Sequence, residues 1–147
     1  MPDRAAAGRF LGFDVGERYL GVSVGSRHTR LAEPLTTLHV ARQSPDWQAL
    51  DRLVKEWKPG GLVVGLPLNM DGSANRMTRI ARAFGERLGE RYNLPVHMVD
   101  ERLSTRAAVD SLIEAGVPVR RHRQKVDRLA AQTILQAFLN ELPGDAQ

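Results

Sequence analysis

Two short apolar runs joined by a glycine turn constrain this chain more than anything else in it. In RFLGFDVGERYLGVSVG, Arg9 to Gly25, the stretches Arg9–Val15 and Leu20–Gly25 alternate with the period of two that a strand requires. The intervening GER is short enough to make them neighbouring antiparallel strands. The first run then sets Leu11, Phe13 and Val15 on one face and Phe10, Gly12, Asp14 and Gly16 on the other. Across the hairpin, Leu20, Val22 and Val24 alternate with Gly21, Ser23 and Gly25. Asp14 therefore stands on a face almost bare of side-chain bulk, where a ligand can approach the backbone. Asp beside Gly is also ordinary turn chemistry, so a carboxylate that caps the GER turn explains Asp14 equally well at this point. GVSVG matches the pattern around a strained nucleophilic serine. That pattern needs a sharp strand-to-helix turn, and Ser23 lies inside a strand followed by more strand, which removes the reading.

A third extended stretch, Leu31–Val40, completes a meander. Ser44 or Asp46 can cap a helix whose apolar positions Trp47, Leu50, Leu53, Val54 and Trp57 recur at helical spacing, and KPGG ends it. LVVGL, Leu62–Leu66, has the short, continuous, β-branched character of a buried strand. After the turn-rich PLNMDGS comes a long amphipathic helix with Met77, Ile80, Ala81, Phe84 and Leu88 on one face. Another strand, Leu94–Val99, leads through DERLST into a helix from about Thr105 to Ala115. A basic loop, VRRHRQK, precedes a last helix from about Lys125 to Leu142. Three strands first, then helices alternating with strands, predict an α/β sheet that begins antiparallel and continues parallel.

With 147 residues and 42% hydrophobic content, the chain suits one domain spanning 1–147, with loose ends at 1–8 and 143–147. No apolar run approaches a membrane span, and MPDRAAAG lacks the apolar stretch of a secretory signal, so the expectation is a cytoplasmic protein with no membrane partner. The absence of cysteine excludes a disulfide framework and thiolate chemistry. His28, His39, His97 and His122 stand too far apart for a zinc site. A net charge of +4 and a pI near 10.1 favour polyanionic partners and equally suit an ordinary basic protein.

Two further acidic positions complete the candidates. Asp100 and Glu101 follow the Leu94–Val99 strand, and ligands of α/β sheets gather at the carboxyl ends of parallel strands; acids there also serve as helix-terminal charges. Asp127 opens the stripe Ala130, Ala131, Ile134, Leu135 and Phe138. It therefore points to where the core lies, as a group that binds something positive or as the partner of Arg123, Lys125 or Arg128. Acids from a first strand, a late strand end and a last helix are what phosphodiester chemistry with hard divalent cations requires.

FDVGERYLGVSVG, VVGLPLNMDGS, VDERLSTRAA and KVDRLAAQTILQAFL, taken together, resemble the four successive motifs of the YqgF family, also called RuvX, over about Arg9 to Leu142. The resemblance implies a ribonuclease H-like fold with a five-stranded mixed sheet flanked by helices. It also implies that Asp14, Glu101 and Asp127 are the catalytic, metal-binding acids, with Asp100 a weaker candidate beside them. The implied cofactor is Mg²⁺ or Mn²⁺. The implied activity is cleavage of structured nucleic acid, either 5′-end processing of the 16S ribosomal RNA precursor or resolution of branched DNA, with the ribosome as a further partner. A monomer or weak homodimer is expected. A factor that binds RNA or the ribosome without cutting is the alternative on the same fold. The phosphate hairpin of the actin-like ATPases resembles DVGERYLGVSV too, but that fold holds nucleotide between two such domains, and this chain has length for one.

Nucleic-acid contacts are expected from Asn69 in GLPLNMDGSANR, whose turn leaves backbone N–H groups and the Asn69 amide free for a phosphate unless Ser73 simply caps the next helix. Arg76, Arg79, Arg120, Arg121, Arg123 and Lys125 are the candidate phosphate contacts. At 5% aromatic residues, mostly on helical apolar faces, an exposed stacking platform is not expected.

Overall fold

The computed structural model describes residues 8–102 and 123–143, with side chains in the second stretch from Arg128 onward. The alternating runs form β1 (Arg9–Val15) and β2 (Tyr19–Ser26), an antiparallel hairpin in which Phe13 stands opposite Val22 and Asp14 opposite Gly21. β3 (Ala32–Ala41) pairs antiparallel with β2, and β4 (Ser44–Pro45) folds back on the end of β3. On the other side of β1, β5 (Gly61–Leu66) and then β6 (Val96–Asp100) add in parallel. The sheet order is β4-β3-β2-β1-β5-β6.

Among the described residues the sheet thus has six strands and not the five the resemblance implied. Arg42 and Gln43 both adopt left-handed backbone, with φ of 52° and 61°, and turn the chain tightly enough for Ser44 and Pro45 to pair with Ala41 and Val40. Hairpin turns of this kind favour Asn and Gly, so Arg-Gln carried no signal for a strand there. β6 also starts later than expected, at Val96: before it, the Pro95 carbonyl accepts from Leu62 N–H at 2.9 Å, and proline has no N–H to return to a ladder.

Three helices are described. α1 (Trp47–Trp57) is capped by Asp46, whose carboxylate accepts from Ala49 N–H at 3.1 Å. α2 (Arg76–Tyr92) is capped by Asn75 in a reciprocal box with Thr78, and not by Ser73. α3 spans Arg123–Glu141. The helix expected over 105–115 lies outside the described residues.

Strand alternation gives the sheet two unlike faces. On one, Leu11, Phe13, Leu20, Val22, Leu62 and Val64 pack with Leu50 of α1 and with Ala81, Phe84 and Leu88 of α2. On the other, Phe10 and Val63 meet Ile134, Leu135 and Leu139 of α3. This second face is shallow. A Cβ on Gly12 would lie 2.5 Å from Ser23 Oγ and 2.8 Å from Leu135 Cβ, and one on Gly25 would lie 2.9 Å from Leu139 Cδ1. The bare glycine face is therefore occupied by a helix at close range, where the sequence suggested open access for a ligand.

Candidate metal and nucleic-acid site

The register of α3 sets what stands at the end of that shallow face. Buried Ser23 donates its Oγ hydrogen to the Ala131 carbonyl at 2.7 Å. The Gln136 amide accepts from Ala32 N–H at 2.9 Å and donates to the Arg30 carbonyl at 2.7 Å. At the helix's far end the Arg30 guanidinium donates to the carbonyls of Leu139 at 2.9 Å, Leu142 at 2.7 Å and Pro143 at 2.6 Å and so closes the helix's C-terminal end. Ala131 and Leu135 lie against Gly12 while Leu139 lies against Gly25, so α3 runs antiparallel to β1.

Asp14 occupies this face next to the carboxyl end of β1, and Glu101 follows the last residue of β6, its N–H donating to the Leu66 carbonyl at 3.2 Å. β5 lies between their strands. The two carboxyls nonetheless come into hydrogen-bonding contact, because Gly65 of β5 presents no side chain under them. A Cβ on Gly65 would collide with Glu101 Oε2 and Ile134 Cδ1. Both acids are buried, at 9% and 7% exposure. Burial, then the charge and hydrogen bond of Asp14, then the charge of Asp100 all push the Glu101 carboxyl up, to about 9. An acid so placed holds its proton at neutral pH until something positive arrives.

The donor set fits a hard divalent cation: two carboxyls from separate, rigid strand ends, in a chain without cysteine. Among the described residues no group of three or more His, Cys, Asp or Glu side chains gathers, so the described part of the site is this pair. Asp127 falls in α3, with its side chain outside the described set.

Asp100, one residue before Glu101, looks the other way, as alternation dictates. It binds the Arg102 guanidinium at 2.6 and 2.9 Å, which holds its carboxyl below the usual range. Arg102 also reaches the Met70 carbonyl at 3.2 Å and so ties the end of β6 to the 67–75 loop. In that loop the Asn69 amide, expected to be free, is engaged: it donates to Ser73 Oγ at 2.9 Å and accepts from Asn75 at 2.9 Å. These bonds hold the shape of the loop. The Arg76 side chain pairs with Glu17 of the GER turn, exposed on both sides, and Arg79 is exposed on α2. Arg120 and Arg121 lie outside the described residues, and Arg123 and Lys125 belong to the start of α3 without described side chains. Sequence reasoning assigned no role to Gly65 or Arg102, and considered Ser23 only as a nucleophile, not as the anchor of α3. Only Gly65 carried a signal, as a lone glycine in a β-branched strand.

A family model described as "RuvX: Holliday junction resolvase" matches residues 8–141. A protein of Nitrosococcus oceani named "Putative pre-16S rRNA nuclease" is 51% identical over 132 residues, 89% of this chain and 86% of its own length. One of the same name from Methylobacillus flagellatus is 40% identical over 144 residues, covering 97% of this chain and 99% of its own. Among solved structures, the fowlpox virus resolvase in complex with Holliday junction DNA matches 90% of this chain and 97% of its own, with a TM-score of 0.56 at 8% identity. That last likeness is one of fold: the mixed, ribonuclease H-like sheet with flanking helices.

Proposed function

The chain belongs to the RuvX family, and from that premise we propose that it is a divalent-metal-dependent nuclease of structured nucleic acid, with the 16S ribosomal RNA precursor as its main substrate. The observation that carries the reading is the pair of buried carboxyls, Asp14 and Glu101, meeting over Gly65 at the carboxyl ends of parallel strands. A buried acid pair that raises its own pKa is costly to keep, and a site for cations explains why it is kept. Bound Mg²⁺ or Mn²⁺ supplies positive charge against the phosphate and a water acidic enough to attack it. The protein's part is to hold two oxygen donors rigid, to give up the Glu101 proton when the cation enters, and to keep the surroundings dry with Ile134 and the α3 backbone.

Asp127 is the third acid of this proposal. It precedes Ala131 by one helical turn, and α3 runs antiparallel to β1, so that turn lies toward the strand end that bears Asp14. Arg79, Arg120, Arg121, Arg123 and Lys125 serve as phosphate contacts, with Arg76 shared between Glu17 and the substrate. Such a substrate implies action in the cytoplasm, on or beside the ribosome, by a monomer or weak homodimer. The description of the family model favours a second reading, resolution of four-way DNA junctions, which needs two symmetric cuts and hence a dimer.

The test offers purified protein both substrates, precursor 16S RNA and a four-way DNA junction, with Mg²⁺, with Mn²⁺ and with EDTA, alongside Asp14→Asn. Cleavage of the RNA that disappears in EDTA and in Asp14→Asn supports the reading. Cleavage that survives both removes the acid pair from the chemistry.

A further inference from the structure

On the opposite face of the same strand end lies a cleft of about 250 Å³. Its floor is apolar: Val15, Leu20 and Val40 from the sheet, Ile80 and Phe84 from α2. Its rim is polar and basic, made by Arg42 and Gln43 of the left-handed β3–β4 turn and by the Glu17–Arg76 pair. Arg76 balances Glu17, while among the described residues Arg42 takes part in no ion pair, so the rim carries an excess positive charge. Val15 follows Asp14 directly, and consecutive Cα atoms are about 3.8 Å apart. Acid pair and cleft are thus back to back across one strand end.

We propose that this cleft receives one unpaired nucleobase of the substrate strand, next to the phosphate cut at the acid pair. The proposal rests on the preceding reading of the acid pair as the place of cutting, while the binding arm of its test is read without cleavage. The floor offers an aromatic heterocycle the dry surface it loses on leaving a stack. The Gln43 amide carries both a donor and acceptors for a base edge, and Arg42 is at hand for the adjoining phosphate. A strand crossing the sheet end to reach Asp14 has this cleft on its far side, so one nucleotide links the two. A base in a duplex is both stacked and paired and must leave both to enter. The preferred substrate is therefore one with an unpaired nucleotide at the cut, and uniform duplex is a poor one. Base recognition in this chain then uses an apolar slot in place of an aromatic platform.

The test moves a single abasic site stepwise along a single-stranded RNA of defined sequence. Cleavage in Mn²⁺ and binding in EDTA, by fluorescence anisotropy, are read for the native chain, Ile80→Phe, which fills the floor, and Arg42→Ala at the exposed rim. The expected result is one abasic position within two nucleotides of the cut that weakens binding roughly five- to tenfold in the native chain and has no further effect in Ile80→Phe. Arg42→Ala, whose fold is checked by its melting temperature, should weaken intact RNA by a similar factor. The proposal is overturned if no abasic position matters, if Ile80→Phe remains fully sensitive to it, or if a free nucleoside monophosphate at micromolar concentration displaces the RNA, since the cleft would then hold a free nucleotide. Absence of cleavage by any variant would sink the nuclease reading and leave the binding arm to decide this one.

Discussion

The two faces of the sheet are cut from the same strands and obey opposite rules. Under α1 and α2 the inward residues are large, and Phe13 meets Phe84 edge to face with ring centroids 5.7 Å apart. Under α3, Phe10 and Val63 share the face with Gly12, Ser23, Gly25 and Gly65, and the helix packs onto these small positions at close range through the Ala131 carbonyl and the side chains of Ile134, Leu135 and Leu139. The first face is built for apolar burial. The second also buries apolar residues but gives up side-chain bulk at Gly12, Gly25 and Gly65 so that a helix can come close, and at its open end the same lack of bulk lets two acids meet. Alternation lets one strand do both, with Phe13 buried in the core and Asp14, the next residue, in the site.

The contrast is broken most directly by exchanging the kinds of damage. Asp14→Asn, nearly isosteric, should lower cleavage by about a hundredfold or more and leave the melting temperature of the metal-free protein unchanged or higher. Phe13→Ala should do the reverse, costing roughly 3–5 kcal/mol by denaturant unfolding while activity per folded molecule persists. If Phe13→Ala loses activity beyond its folded fraction, or Asp14→Asn is destabilised and still active, the faces are not divided as described.

This division was partly legible in the sequence. The period of two in Arg9–Val15 assigns every residue of β1 to the face it occupies, and the helical stripe Ala130, Ala131, Ile134, Leu135 and Phe138 marks the side of α3 that packs on the sheet. What the glycines were for was not legible. A glycine face admits a ligand or a helix equally well, and only the distant Ala131 and Leu135 decide between them. The meeting of Asp14 with Glu101 depends on the register of β5 between their strands, a non-local fact set by pairs such as Gly65 with Val99. Asn69 misled for a related reason: a turn amide free in a linear reading is held by Ser73 and Asn75 once the loop closes.

The acid pair adds a pH dependence that the apolar face lacks. Folding raises Glu101 from 4.5 to about 9, so between those values the folded protein keeps a proton that the unfolded chain has lost. The stability of the metal-free protein should therefore be greatest at the acid side of that window and fall as pH rises through it, by roughly 1–3 kcal/mol. Melting curves in EDTA at stepped pH would measure the slope. Glu101→Gln should flatten it and raise stability at its alkaline end, and saturating Mn²⁺ should flatten it in the native chain. A slope untouched by Glu101→Gln would assign it to other groups.

The smallest effect sharpens the contrast most finely, because it asks what confines the shallow face. Gly12→Ala should cost about 1–3 kcal/mol, as overpacking does, since its Cβ would lie 2.5 Å from Ser23 Oγ and 2.8 Å from Leu135 Cβ. Ser23→Ala alone removes one buried hydrogen bond to the Ala131 carbonyl and should cost about 1 kcal/mol. In the double variant the hydroxyl is no longer in the way of the new methyl, while Leu135 still is. The two costs should then fall short of additive by about 0.5–1 kcal/mol, read as the coupling term of a double-mutant cycle in denaturant. The sign of that term carries the information. A shortfall means that Ser23 shares the confinement of Gly12 with the helix, so the hydroxyl both anchors α3 and sets how near it comes. Strict additivity means that Leu135 alone sets the approach, and that the helix would sit equally close to the sheet without its serine anchor.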